Sequence, residues 1–189
     1  MNKDKVNEER ITKARYEGDK RPAILCDVDG TVALMMGKRS PFEYEKAMED
    51  RPNYPVIDAV FAVKNMLENK LTGNESPFVE VHLIMLSARE NKALKNNDDN
   101  DYGFYTTYEL TKAWLDTFMK NDLNGTYHQL IMREAGDYRK DCYVKYDIYK
   151  ECIEPDYDVK YVFDDRNQVV DMWRNACKLT CLQVADGNF

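Results

Sequence analysis

The chain has 189 residues, of which 43% are hydrophobic and 32% charged, and its formal net charge is −7. This length fills one good hydrophobic core, so we expect a domain over residues 21–189 preceded by a charged arm or helix over residues 1–20. The acidic balance argues against a broad basic face that coats nucleic acid, but it leaves room for local cations that hold one phosphate.

Beyond the arm, short apolar runs alternate with helical patterns. The runs predict five strands, over residues 23–27, 79–87, 128–133, 159–164 and 181–185. The first helical pattern covers residues 56–71 and places five apolar side chains on one face: Ile57, Val60, Phe61, Leu67 and Leu71. Further helices are expected over residues 104–120, 139–153 and 168–176. This alternation predicts an α/β, three-layer Rossmann-like fold, with an open, mainly parallel sheet and helices on both faces.

Cysteine and histidine usage argues against a zinc site and a secreted setting. Five cysteines without a C-x-x-C pair accompany only two histidines. We expect a reduced, cytoplasmic setting, which is the host cytoplasm if the chain is of phage origin. No apolar run is long enough to span a membrane, and residues 1–20 lack the apolar centre of a secretory signal. We interpret His82 and His128 as structural, since nothing at ligand spacing accompanies them.

Two acids end the first predicted strand in the stretch DVDGT, residues 27–31. Asp27 and Asp29 project to the same side of extended backbone, and Gly30 allows a sharp turn. Parallel sheets bind ligands at the carboxyl ends of their strands, and another acid pair, Asp164 and Asp165, ends a later strand. Mg²⁺ suits such oxygen ligands and relieves their repulsion. One of these carboxylates can attack phosphorus while a second transfers protons.

Further polar residues follow other strands. Ser87 and Lys140 are suited to hydrogen bonding and charge neutralisation at a transferring phosphoryl group. The chain resembles the haloacid dehalogenase (HAD) superfamily of phosphatases in the order of four motifs, which are DVDGT, Ser87, Lys140 and the Asp164–Asp165 pair. The chain is also similar to the C-terminal phosphatase domain of phage polynucleotide kinase/phosphatases in three stretches: GDYRKDCYVK, VKYVFDDRNQVVDMWR and CLQVADGNF. The resemblance covers about residues 21 to 189.

This resemblance implies a Mg²⁺-dependent polynucleotide 3′-phosphatase that acts on DNA or RNA 3′-phosphate ends through an aspartyl-phosphate intermediate, in nucleic-acid repair. It makes Asp27 the nucleophile and Asp29 the general acid/base. The implied metal ligands are Asp27, the backbone carbonyl of Asp29, and Asp165 with Asp164 close behind. Ser87 and Lys140 would hold the phosphoryl oxygens. The implied substrate-side residues are Thr31, Arg39, Arg89, Arg133 and Asp137.

The chain departs from the family pattern at two places. Ala88 stands where the family has glycine after the motif serine, and the loop after the first strand offers both Lys38 and Arg39 where the family has one arginine. We choose Arg39, because a guanidinium can grip phosphate with two parallel hydrogen bonds. No G-x-x-x-x-G-K-[ST] phosphate loop occurs in this sequence, so we expect no kinase half within it.

Other functions remain open alternatives. A phosphatase of free nucleotides or small phosphate esters would use the same motifs, but the segment between Thr31 and Val56 is too short for a cap domain of usual size, which favours a bulky substrate. A phospho-accepting receiver module is disfavoured by motif order, and an inactive end-binding module by intact Asp27 and Asp29. A calcium loop over residues 98–109 is disfavoured because Tyr102 occupies a ligand position. The pattern does not choose between DNA and RNA, and it indicates no stable protein partner.

Overall fold

The computed structural model of the chain describes residues 20–72, 78–94, 103–119 and 127–187. The strands, in chain order, are β1 (Arg21–Asp27), β2 (Ala33–Leu34), β3 (Arg51–Pro52), β4 (His82–Asn91), β5 (Gln129–Glu134), β6 (Tyr157–Arg166) and β7 (Cys181–Gly187). Five of them form one sheet in the order β5-β4-β1-β6-β7 with parallel pairing throughout. The small strands β2 and β3 pair antiparallel beside it.

Within the described ranges, four α-helices connect these strands: α1 (Tyr54–Thr72), α2 (Thr107–Phe118), α3 (Asp141–Ile148) and α4 (Asn167–Asp171). The last two continue as π-helical turns, over Tyr149–Ile153 and Met172–Ala176. A 3₁₀ helix covers Tyr44–Glu49. Helix α2 begins at a capping box, in which Thr106 and Glu109 each accept a hydrogen bond from the other's backbone N–H. The five predicted strands and four predicted helices are therefore present.

The sheet has a hydrophobic core on each face. Successive β1 side chains point to opposite faces, so Ile24 packs in a core with α1 and α2 residues, and Leu25 in a second core with α3 and α4 residues. This arrangement confirms the three-layer α/β fold. Between β1 and α1, the described residues hold only the β2–β3 pair and the 3₁₀ helix, and no large cap is present there.

One face of α1 differs from its prediction. Ile57, Val60, Phe61 and Leu67 are buried, but Leu71, which was predicted on the same face, is 38% exposed. A buried ion pair between Lys64 and Glu68 lies on this face instead, with 2.5 Å between its charged atoms. Glu68 also accepts a hydrogen bond from the Val81 backbone N–H at 3.1 Å. The Lys64–Glu68 pair and the hydrogen bond from Val81 therefore connect α1 to the segment before β4.

Some sequence predictions lie wholly or partly outside the described residues. These are the charged arm over residues 1–20, most of the polar insertion at 91–103, and the first five positions of the disfavoured calcium loop. Strand β4 extends past its predicted end at Ser87 to Asn91, with an irregular register between Ser87 and Glu90. Among the described residues, no helix is both long enough and apolar enough to cross a membrane.

Candidate active site

The carboxyl ends of β1, β4 and β6 meet at a cavity of about 420 Å³. Asp27 is the last residue of β1, and Asp164 and Asp165 lie near the end of β6. All three line the cavity, together with Asp29. The structure thus brings the four predicted acids to one edge of the sheet, where open parallel sheets bind ligands.

A tight turn after Asp29 makes this approach possible. Gly30 has a φ of +85°, which favours glycine, and a Cβ there would lie 2.2 Å from Oδ2 of Asp165. Thr31 follows, and its hydroxyl lies 3.2 Å from Oδ2 of Asp27 and 3.5 Å from Oδ1 of Asp165, so its one hydrogen can be donated to either carboxylate. The turn at Gly30 and the Thr31 hydroxyl therefore hold Asp27 of β1 close to Asp165 of β6.

The lysine that faces the acids is Lys145, and not the predicted Lys140. Lys145 is 3% exposed, and its Nζ donates to Asp27 at 2.6 Å and to Asp164 at 2.8 Å. Lys140 is the N-cap residue of α3, is exposed, and does not line the cavity. The choice of Lys140 is therefore corrected to Lys145, because Lys140 precedes the first turn of the helix while Lys145 lies on the face that packs against the sheet.

Burial and charge shift the protonation of these groups. Burial raises the pKa of the Asp27 carboxyl, and Lys145 opposes that rise. Burial lowers the pKa of Lys145, but Asp164 and Asp27 outweigh it and hold the pKa above its ordinary value, so the amine carries its proton. Burial, aided by Asp164, raises the pKa of Asp165 to about 6. The site therefore holds more carboxylates than Lys145 alone can neutralise.

Asp29 has a different environment from Asp27. Arg89 forms a two-bond pair with it, with nitrogen–oxygen distances of 2.7 and 2.8 Å, and Arg39 adds a third bond at 2.8 Å. Burial raises the pKa of Asp29, but Arg89 and Arg39 outweigh it and hold the pKa below its ordinary value. Asp29 is therefore ionised and held in one orientation.

A buried acid that the sequence reasoning missed anchors both arginines. Asp50 accepts from Arg39 at 2.7 and 2.5 Å and from Arg89 at 2.9 Å. Arg89 also donates to Thr111, and Arg39 to the Ser40 carbonyl. Every guanidinium nitrogen of these two arginines is thus bonded within the protein.

Of the two candidate loop cations, the structure brings Arg39 to the site, while Lys38 is exposed. Arg39 bonds to Asp29 but does not line the cavity. Arg89 does line it. Arg39 was expected to hold phosphate and Arg89 to lie on the substrate side; both bond to Asp29 in the structure, and their roles toward substrate stay predictions.

Ser87 is fully buried at the β4 irregularity, where its Oγ accepts a hydrogen bond from the Arg89 backbone N–H at 3.2 Å. It is not part of the cavity wall, whereas its neighbour Ala88 is. Such irregularities re-aim side chains at the ends of strands. Ser87 therefore lies behind the wall, one residue from the cavity.

On the substrate side, Arg133 lines the cavity and Asp137 does not. Asp137 pairs instead with Arg139 at 2.8 Å, which lowers its pKa to about 2. Asp141, which was not predicted, lines the cavity and accepts hydrogen bonds from Arg133 and Arg166. Asp141 and Lys145 are four residues apart on α3, and this spacing, which puts both on one helix face, was the available sequence signal.

A divalent cation fits one group of carboxylates. Oxygens of Asp27, Asp164 and Asp165 lie within 4.8 Å of one another, and the Asp29 carboxylate is outside that group. Hard oxygen donors of this kind suit Mg²⁺. Asp164 already accepts from Lys145, from the Trp173 indole at 3.3 Å and from the Arg166 backbone N–H at 3.2 Å. Asp164 therefore accepts more hydrogen bonds than Asp27, which accepts from Lys145 and Thr31, so Asp27 and Asp165 have more oxygen lone pairs left for a cation.

An open parallel sheet with buried acids at its carboxyl end is the arrangement that the resemblance to HAD-type phosphatases predicted. The family model for the polynucleotide kinase PNKP phosphatase domain matches residues 21–189, and the chain belongs to that family. It is thus a phosphatase, as the sequence motifs predicted.

Known relatives agree with this assignment. The chain is 28% identical over 160 residues to a protein of Autographa californica nuclear polyhedrosis virus that is named for polynucleotide kinase and RNA ligase activities; the match covers 84% of this chain and 19% of the viral protein. A chain in the structure of the Pnkp1/Rnl/Hen1 complex is 32% identical, with a TM-score of 0.67 over 92% of this chain and 49% of that one. A chain in the Pnkp1/Rnl/Hen1 RNA repair complex is also 32% identical, with a TM-score of 0.68 over 92% of this chain and 45% of that one. This chain therefore spans less than half the length of these relatives.

Proposed function

We propose that the protein removes the 3′-phosphate from ends of nucleic acid strands in a Mg²⁺-dependent reaction. The observation that carries this proposal is the contrast between the two acids of DVDGT: Asp27 faces Lys145 and the β6 acids, while Asp29 is held apart from them by Arg39 and Arg89. A nucleophile and a proton-transfer group need this kind of separate environment.

In the first step, a carboxylate oxygen of Asp27 attacks phosphorus, and the bond between phosphorus and the ester 3′-oxygen breaks. Asp29 gives the leaving oxygen its proton. The pKa of Asp29 is low in the free protein, and the negative charge of an arriving phosphate raises it, which favours the protonated form. In the second step, Asp29 takes a proton from the water that attacks the aspartyl phosphate, and inorganic phosphate and the Asp27 carboxylate are released.

The remaining residues bind and orient the reacting groups. Lys145 offsets negative charge on the transferring phosphoryl group. Arg133 is a candidate phosphate contact, because its buried Nε has no hydrogen-bond partner among the described residues. Asp27 and Asp165, with Asp164 behind them, would hold Mg²⁺, which supplies positive charge for the phosphoryl oxygens.

The relatives suggest which strand ends to try first. Both solved structures contain Rnl and Hen1 beside Pnkp1, and one of these assemblies is described as an RNA repair complex. We extend the proposal to RNA 3′-phosphate ends and to action alongside separate end-joining proteins. A cytoplasmic setting is part of the same proposal, since all five cysteines are free thiols.

The test is a panel of matched substrates: a single-stranded RNA with a 3′-phosphate, the DNA of the same sequence, the same strands with a 5′-phosphate, and a 3′-mononucleotide. The Asp27→Asn variant serves as the control for contaminating phosphatases. We expect turnover of 3′-phosphorylated strands only, its loss in EDTA and its return with added Mg²⁺. Equal or better kcat/KM on the mononucleotide would contradict the polynucleotide assignment, and full activity in EDTA would contradict the metal.

A further inference from the structure

Two exposed aromatic side chains lie at the entrance of the catalytic cavity. Phe42 is 78% exposed and Tyr138 is 83% exposed, and both belong to the wall of the cavity that contains Asp27 and Asp29. Exposed apolar side chains that border one cavity can mark a ligand-binding surface, whereas singly scattered ones are ordinary. The catalytic mechanism uses neither of them.

The exposure of Phe42 is imposed by an ordered loop. Before it, Arg39 is buried and bonded to Asp29 and Asp50. The Ser40 backbone N–H donates to the Glu43 carboxylate at 2.7 Å, which closes the loop around Phe42. Two residues after Phe42, the buried Tyr44 begins the 3₁₀ helix. The chain is thus fixed on both sides of Phe42 and still presents its ring to solvent.

Tyr138 is presented in a similar way. The Asp137 carbonyl before it accepts from Arg133 at 3.1 Å. Arg139 after it pairs with Asp137 at 2.8 Å and with Asp147 at 2.6 Å. The loop between β5 and α3 therefore holds Tyr138 between two residues whose positions are set by charged contacts.

We propose that Phe42 and Tyr138 stack on the nucleobases next to the 3′-phosphate, an inference that rests on the proposed function. The same cavity wall carries Lys145, Arg133 and Arg139, so it combines cations for phosphate with flat apolar surfaces for bases. A single-stranded nucleic acid end offers both of these chemistries together. Stacking tolerates any base, because every base has a flat face, so these residues select strand ends without reading their sequence.

The experiment compares two single-stranded oligonucleotides that both carry a 3′-phosphate and differ only in the terminal nucleotide, which has a base in one and is abasic in the other. The measured quantity is the ratio of their kcat/KM values. We expect the wild type to prefer the substrate with the base by about tenfold. Phe42→Ala and Tyr138→Ala each lower that ratio several-fold, and the double variant brings it close to one.

Two controls accompany these variants. Phe42→Tyr and Tyr138→Phe keep an aromatic ring and should keep the ratio. Phe78→Ala removes an aromatic side chain that is 62% exposed but lies before β4, away from the cavity wall, and should also keep it. A direct readout uses the inactive Asp27→Asn protein and an oligonucleotide with 2-aminopurine as its terminal base. Stacking quenches its fluorescence, and both alanine variants should reduce that quenching.

The outcomes separate this inference from the function on which it rests. If the wild type hydrolyses 3′-phosphorylated strands but the alanine variants leave both the ratio and the quenching unchanged, stacking is wrong and the exposed aromatics serve another partner, such as a protein. If the wild type hydrolyses no 3′-phosphorylated strand, the proposed function fails and the stacking inference fails with it.

Discussion

The two ends of the central sheet place ionisable side chains in opposite environments. At the carboxyl end, Asp27, Asp164 and Asp165 are buried together, and Lys145 is the cation between them. At the amino end, His82 stacks against His128 with ring centroids 4.5 Å apart. The carboxyl end thus concentrates like charge, while the amino end avoids it.

The amino end satisfies its polar groups locally. His128 accepts from the Leu83 backbone N–H at 3.0 Å through Nδ1, so its Nε2 carries the hydrogen that is donated to Glu80 at 3.0 Å. Arg21 lies over the Tyr157 ring, 4.5 Å from its centroid. Burying several like charges destabilises the folded state, and packing of the fold alone does not require it. The difference therefore marks the carboxyl end as the candidate ligand site.

The largest expected effect comes from the cation at the carboxyl end. Lys145→Met should reduce kcat/KM about 100-fold or more, because it removes the positive charge beside Asp27. It should also lower the free energy of unfolding by about 3–5 kcal/mol, because Asp27 and Asp164 lose the partner of a buried ion pair. Steady-state kinetics and urea unfolding measure the two effects.

Two companion variants make this prediction decisive. Lys140→Met is the matched control, and it should stay within about twofold of wild type, as surface substitutions usually do. Lys145→Arg keeps the charge and should fold even if Lys145→Met does not. A normal rate for Lys145→Met together with a large loss for Lys140→Met would reverse the assignment.

A smaller effect is expected at the acid that anchors the arginines. Asp50→Asn should lower kcat about 10-fold or more while changing KM less, because Arg39 and Arg89 lose the charge that fixes them against Asp29. Its neighbour Glu49 is exposed, so Glu49→Gln is the matched control and should behave as wild type. Equal kinetics for these two variants would show that Asp50 has no positioning role.

The strands and helices were readable from the sequence because burial on one or both faces leaves local patterns of period 2 and 3.6. The acids of DVDGT and the β6 pair were readable because they follow apolar runs directly. The correct lysine was not, since the choice between Lys140 and Lys145 depends on the residue at which α3 begins. Asp50 left no signal at all. Its partner Arg89 is 39 positions away, and only the tertiary fold brings the two together.

The smallest effect is expected at the amino end. Burial and the neighbouring His128 lower the pKa of His82 to about 4. An unfolded histidine binds a proton below about pH 6.5, whereas folded His82 stays neutral until about pH 4, so its contribution to stability is complete above pH 6.5 and is lost as the pH falls between these values. His82→Gln should therefore make the free energy of unfolding less dependent on pH in this window. Urea unfolding at pH 7 and pH 5 measures the change, and identical pH dependence in both proteins would contradict it.

The proposed mechanism depends on Asp27, at the carboxyl end of the sheet, as the nucleophile. Trapping the aspartyl-phosphate intermediate tests that role most directly. The enzyme is mixed with a 3′-phosphorylated strand and Mg²⁺, quenched during turnover, and treated with borohydride, which reduces an acyl phosphate to an alcohol. Mass spectrometry of the peptides should find homoserine at position 27 in the wild type and none in Asp27→Asn. Homoserine at another aspartate, or an unmodified Asp27 under conditions of rapid turnover, would contradict the account.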